Sequence, residues 1–330
     1  MPPQADRGGA QGRAAQAVND AVRRAVEILR AGGLVAFPTE TVYGLGADAA
    51  NAAAIARLYA VKQRPTDHPV IVHFARAASA FEWAREVPGA AHQLAARFWP
   101  GPLTLILKRS PRARDFVTGG QDTVGLRVPS HPVAQALLHA FGGGVAAPSA
   151  NLFGRVSPTT AAHVREDLGH AVDLVLEGEP GKVGIESTIV DLSGDAPVLL
   201  RPGHVRQEEI ETVLGCRIAA ERADSPRHSG GLERHYAPRT PARLVAAHAL
   251  DVQIAQLGAR VAVLAFSRPD VRVARWIRMP RDPAAYAQRL YGALRELDAA
   301  GCERLLIESP PEAPGWTAVL DRLRRAASAR

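Results

Sequence analysis

A chain of 330 residues, 47% hydrophobic and 22% charged, has the balance of a globular protein and the length of two domains. No apolar run of membrane-spanning length and no signal-peptide pattern occurs, so a soluble cytoplasmic protein with no membrane role is expected. The net charge of +7 is largely arginine, since only Lys62, Lys108 and Lys182 are lysines; no basic block with interleaved aromatics appears, and direct tight RNA binding is not expected.

Residues Met1 to Ala17 are rich in Gly, Ala, Gln and Pro without periodicity and read as a disordered tail. A helix capped by Asn19 or Asp20 follows, with Val22, Val26 and Leu29 on its apolar face and Gly32-Gly33 at its end. Leu34 to Phe37 reads as a buried strand. Asn51 caps a second helix that closes at Lys62 to Pro65, and Pro69 to Phe74 is a strand carrying His73. Pro88 to Trp99 and Pro132 to Ala140 read as helices, and Leu103 to Leu107, Thr123 to Val128 and Val145 to Ala147 as strands. Ser157-Pro158 has the form of a helix start, a hydroxyl cap followed by proline. Val172 to Leu176, Thr188 to Leu192 and Val198 to Leu200 are further strands. So many strands with few helices between them predict a twisted mixed sheet over 18–214.

The stretch 215–241 lacks a period and reads as a linker. A second unit, 242–330, has strands at Leu244-Val245, Val261 to Ala265 and Arg304 to Ile307. With helices at Asp282 to Ala299 and Thr317 to Ala326, it predicts a small three-layer, Rossmann-like α/β domain. Cys216 and Cys302 read as free thiols, and no spacing suits a protein metal site.

No G-x-x-x-x-G-K-S/T loop and no strand-linked G-x-G-x-x-G turn occurs. In their place stand Pro38-Thr39-Glu40-Thr41-Val42-Tyr43-Gly44-Leu45-Gly46, Lys62-Gln63-Arg64-Pro65, Pro148-Ser149-Ala150-Asn151 and Glu186-Ser187-Thr188-Ile189-Val190-Asp191. Each is expected to end or follow a strand, where α/β sheets form ligand crevices, and their cations, hydroxyls and amide suit an anionic ligand. Together with Trp99-Pro100-Gly101-Pro102, Ser157-Pro158-Thr159 and Leu200-Arg201-Pro202-Gly203, and with His235-Tyr236-Ala237-Pro238 further on, these strings resemble the YrdC-domain family of L-threonylcarbamoyladenylate synthases in its long, two-domain form.

The resemblance implies a nucleotidyltransferase that joins L-threonine, bicarbonate and ATP into L-threonylcarbamoyl-AMP and pyrophosphate. The product would pass to a separate tRNA threonylcarbamoyl transferase complex. The chemistry asks for positioning and charge neutralisation and needs no protein nucleophile. Arg127 suits the threonine carboxylate, because a guanidinium fork holds it bidentately; a plain ion-pair arginine is the alternative. Thr41, His73, Ala147 and Ser187 match the other threonine positions, although His73 by itself reads as a core histidine. Lys62 and Arg64 are the expected triphosphate ligands, against the alternative of a solvated helix end. Ser149 and Asn151 match phosphate or ribose contacts or serve a turn. Thr123, Ser157, Arg201, His235 and Tyr236 match further ATP positions, Ser157 through a helix N-terminus. His68 departs from the family's small polar residue. The linker also departs, with Ser229-Gly230-Gly231-Leu232 before the His-Tyr string, and is expected to act as a lid. Magnesium is expected to accompany ATP, with Glu40 or Glu186 either helping to hold it or bonding local backbone. Two other classes fit less well. One is an RNA-binding module without ATP turnover; the other is an enzyme forming a carbamoyl adenylate from carbamoyl phosphate.

Overall fold

The computed structural model describes residues 7–233 and 235–328. Ten strands form the larger sheet: β1 (Val35–Phe37), β2 (Gly44–Asp48), β3 (Val72–His73), β4 (Leu103–Lys108), β5 (Thr123–Arg127), β6 (Val145–Ala146), β7 (Leu174–Val175), β8 (Thr188–Asp191), β9 (Val198–Arg201) and β10 (Ala219–Ala220). Their spatial order is β10-β9-β8-β4-β5-β3-β6-β2-β1-β7. The sheet is mixed. β3 runs parallel to β5 and β4 parallel to β8, while β4–β5 and β8–β9 are antiparallel.

A second sheet of four parallel strands has the order β11-β14-β12-β13, from β11 (Ala242–Val245), β12 (Val261–Ala265), β13 (Arg275–Arg278) and β14 (Arg304–Glu308). All five residues of β12 are buried, as the continuous apolar run of a central parallel strand requires. The helix Pro283–Asp298 that covers this sheet starts where the sequence signals it. Asp282 accepts from Ala285 N at 2.8 Å, with proline in the first turn.

Three expectations change. The first helix begins at Arg7, so the stretch read as a tail is helical from there, and Asn19 and Asp20 lie inside the helix instead of capping it. Its Ala, Gln and Arg content favours helix continuation over disorder; Met1 to Asp6 fall outside the described residues. The helix expected at Ser157 begins at Ala161, because Thr160 supplies the cap and accepts from His163 N at 3.2 Å. β2 was not foreseen, since Gly-Leu-Gly-Ala-Asp lacks the β-branched residues that mark strands.

Candidate active site

One cavity gathers most of the dispersed strings. Thr41, Lys62, Arg64, His73, Arg127, Ala147, Ser149, Asn151, Ser187, Arg201, His235 and Tyr236 all line it. The elements deliver them from different directions. Asn51 caps the helix Ala52–Lys62, which ends as Gln63 adopts a left-handed φ of 52°, so Lys62 and Arg64 leave the helix end close together. β3 ends on His73, and its partner β5 ends on the adjacent Arg127. β6 runs into Pro148-Ser149, and the Glu186-Ser187 corner leads into β8.

Arg127 sits at one end, 5% exposed. Its Nη2 donates to Glu40 Oε1 at 2.6 Å and to Thr41 Oγ1 at 2.9 Å. Glu40 is fixed in turn by the Ser130 amide at 2.9 Å. Arg127 Nε is buried with no partner among the described residues. His73 packs beside it with Nδ1 at 3.2 Å from Ile71 O. Burial, then the Arg127 charge, pushes the imidazole down to about 3, so His73 is neutral at pH 7. With Nδ1–H donating to that carbonyl, Nε2 is left as an acceptor.

Three further buried cations line the same cavity. Lys62 Nζ donates to the carbonyls of Ser149 and Asn151 at 2.5 and 2.6 Å. Arg64 donates to Pro69 O at 2.8 Å and lies over the Phe153 ring. Arg201 donates to Ser187 O at 2.9 Å, Ser187 Oγ at 3.1 Å and Ser229 O at 2.7 Å. Among the described residues none of the three has a carboxylate within ion-pair distance. Burial lowers the pKa of Lys62 well below its usual value, and the neighbouring Arg64 charge adds to this. Such groups favour an anion brought to them.

The linker crosses the mouth. Ser229 Oγ donates to Pro69 O at 3.1 Å, and the Ala237 amide to Gly154 O at 2.9 Å. Tyr236 is 1% exposed, with φ at 60°. Gly230 has φ at 83°, and a Cβ there would meet Tyr236 Oη at 2.3 Å, so only glycine fits under the closed tyrosine. Burial holds His235 down at about 3 as well, despite the attraction of Glu186. Seven buried side-chain polar atoms lack a partner among the described residues. Four of them, on Arg127, Asn151, His235 and Tyr236, belong to this cavity.

Three expected residues stand apart. Thr123 lines a smaller adjoining cavity with Gln121, Arg227 and Ser229. The His68 ring packs edge-on against Phe153, outside the cavity lining, while its carbonyl accepts from Arg64 at 3.3 Å. Ser157 is fully buried away from any helix start, and its hydroxyl donates to Glu186 Oε1 at 2.6 Å. Ala147 spends its amide on Ile71 O.

Glu40 and Glu186 make poor magnesium ligands. Glu40 is committed to Arg127 and Ser130; Glu186 accepts from Ser157, Tyr291 and Arg322. Tyr291 and Arg322 come from the second unit. No sequence motif marked them, because they lie 105 and 136 residues from Glu186.

The Sua5/YciO/YrdC family model, described as "Telomere recombination", matches residues 27–203. The chain belongs to this family. A second model, "Threonylcarbamoyl-AMP synthase, C-terminal domain", matches 205–328. The chain is similar to the threonylcarbamoyl-AMP synthases of Pyrococcus abyssi, 38% identical with 94% of each chain covered, and Bacillus subtilis, 39% identical with 94% of this chain and 93% of the other covered. It is also similar to the solved structure of P. abyssi Sua5 complexed with L-threonine, at 38% identity and TM-score 0.87, covering 93% of this chain and 94% of that one. The family's long form accordingly accounts for both sheets.

Proposed function

We infer that this chain is a threonylcarbamoyl-AMP synthase, forming L-threonylcarbamoyl-AMP and pyrophosphate from L-threonine, bicarbonate and ATP. The observation that carries the reading is the division of charge in the cavity. The cavity holds one arginine whose buried Nε has no partner among the described residues, and three buried cations without carboxylates at ion-pair distance. The first suits an amino-acid carboxylate and the second a triphosphate. Full-length similarity to synthases, and to a relative solved with L-threonine, supports the same assignment.

In this reading Arg127 Nε holds the threonine carboxylate while Glu40 and Thr41 fix the guanidinium plane. Ser187 and His73 bond the polar groups of threonine. A histidine held near pKa 3 is too weak a base to deprotonate the ammonium, so His73 orients it. Lys62, Arg64 and Arg201 neutralise the phosphates as pyrophosphate leaves, with Ser149 and Asn151 as polar contacts. Thr123 serves the nucleotide from the adjoining cavity. Glu40 and Glu186 are already committed, so magnesium, if it accompanies ATP, would be held by the phosphates and would supply charge neutralisation there.

The cavity holds about 50 Å³, well under the roughly 300 Å³ of the smallest ligand pockets. The segment over its mouth must therefore move to admit ATP. With 18–214 as the catalytic unit, 215–241 is its lid and 242–330 the body that carries it. Closure would shield a carbamic–phosphoric anhydride from water. The adenylate would then pass to a transferase acting on tRNA in the cytoplasm.

The direct test is pyrophosphate release from ATP and bicarbonate, with and without L-threonine. Release that depends on threonine is expected. Threonine-independent release with carbamoyl phosphate would overturn the reading in favour of another carbamoyl adenylate.

A further inference from the structure

The second unit reaches the cavity from behind. From the helix Thr317–Ala327, Arg322 enters with 0% exposure. Its Nε donates to Glu186 Oε2 at 2.8 Å, its Nη2 to Glu186 O at 3.3 Å, and its Nη1 to Pro202 O at 3.0 Å. From the helix Pro283–Asp298, Tyr291 Oη donates to the same Glu186 Oε2 at 2.7 Å. Glu186 is thus one point where the two units join, beside the pairing of Arg295 with Asp167, and it directly precedes Ser187 in the cavity wall. Burial alone would raise the Glu186 carboxyl; Arg322, Arg201 and Ser157 together hold it below its usual value, so the joint is charged. The backbones meet here too. A Cβ on Gly184, whose φ is 78°, would lie 2.3 Å from Gln288 Cα.

The same two side chains frame the lid tyrosine. Tyr236 stacks on Tyr291 with centroids 5.8 Å apart and planes 28° from parallel. The Arg322 guanidinium carbon lies 5.3 Å from the Tyr236 ring centroid. A tyrosine with φ at 60° persists only where its surroundings hold it there, and Arg322 and Tyr291 are the second unit's part of those surroundings.

We propose that Arg322 and Tyr291 are positioning residues of the reaction. They fix the Glu186–Ser187 corner and form the seat into which Tyr236 closes, so the second unit governs lid closure and retention of the adenylate. The proposal rests on the synthase reading for what is retained, but the seat itself can be tested without turnover.

Hydrogen exchange would be followed at the Ala237 amide, which bonds Gly154 across the closed lid. In Arg322→Met, loss of the cation over the ring should speed that exchange about tenfold beyond any acceleration shared with β4 and β5, which reports the global cost of leaving Glu186 without its guanidinium. In turnover the ratio of pyrophosphate to intact adenylate should rise. Adding Arg322→Met to Tyr236→Ala should raise that ratio no further, because both act through one contact. Unchanged lid exchange in a folded variant, or additive effects on the ratio, would overturn the proposal. Should Arg322→Met not fold, Tyr291→Leu asks the same question by removing the stacked ring while keeping apolar volume; equal lid exchange there would overturn it too. A wild type without threonine-dependent turnover would sink the synthase reading and leave the exchange result standing.

Discussion

The two ends of the cavity treat buried positive charge in opposite ways. Arg127 is paired, with Glu40 and Thr41 holding one side of its guanidinium, so its orientation is set before a ligand arrives. Lys62, Arg64 and Arg201 are held by backbone carbonyls and hydroxyls, with no carboxylate close by among the described residues. A paired arginine gives geometry, which suits a small substrate that must present one amine. Unpaired buried cations give attraction, which suits a polyanion whose charge shifts during reaction.

The largest expected effect lies at the paired end. Arg127→Ala should lower threonine-dependent pyrophosphate release by roughly 10²–10³-fold. It also leaves Glu40 buried with only the Ser130 amide for a partner, which costs about 3–5 kcal/mol of stability. Adding Glu40→Gln removes the orphaned charge, so the double variant should recover thermal stability in a melting experiment and remain inactive. Recovered activity would mean that Arg127 is structural.

At the unpaired end, Lys62→Met should reduce turnover about a hundredfold, chiefly in kcat, and should cost less stability than Arg127→Ala, because removing a desolvated charge offsets the donor lost by the Ser149 and Asn151 carbonyls. Phosphate binding must raise the lowered pKa of Lys62, so ATP affinity in the wild type should fall as pH rises through that value. Calorimetric titration of Lys62→Met should show this dependence flattened; an unchanged profile would refute the role.

Acid distinguishes both ends from the lid. His73 and His235 sit at about 3 against an ordinary 6.5, so the native state binds fewer protons than the unfolded chain between those values. Stability is therefore fully present above pH 6.5 and lost as pH falls toward 3, on the order of 2 kcal/mol per histidine by pH 5. His235 sits on the lid and His73 at the end of β3, so opening the lid would hydrate His235, and hydrogen exchange at the lid should accelerate before global melting. Lid and core opening together would argue against a separable lid. Thr123→Val should matter least. Its place in the adjoining cavity predicts a change in the KM for ATP of about threefold or less, with the threonine KM unchanged.

The candidate site was legible because its residues stand at the ends of strands and helices that the apolar patterning reveals. Asn51, Lys62, Arg127 and Ser149 are located by that patterning alone. What was misread depended on local competition. Ser157-Pro158 carries a helix-start pattern, yet Thr160 caps the helix and the Ser157 hydroxyl turns inward to Glu186. Glu40 and Glu186 looked available to a metal because a sequence does not display the cations that claim them. His68 drew attention as a side chain, whereas its carbonyl is what meets Arg64.

By itself the sequence determined the α/β class, the strand ends that bear the polar strings and the family to which they belong, since these follow from hydrophobic period and short-range motifs. Only the tertiary structure decided which cation is paired, which hydroxyl faces the cavity, and that the second unit grips Glu186 and Tyr236 through Arg322 and Tyr291. The physical reason is range. Periodicity and capping act over a few residues, whereas charge pairing and ring stacking in a buried site are set by whatever the folded chain brings within a few ångströms.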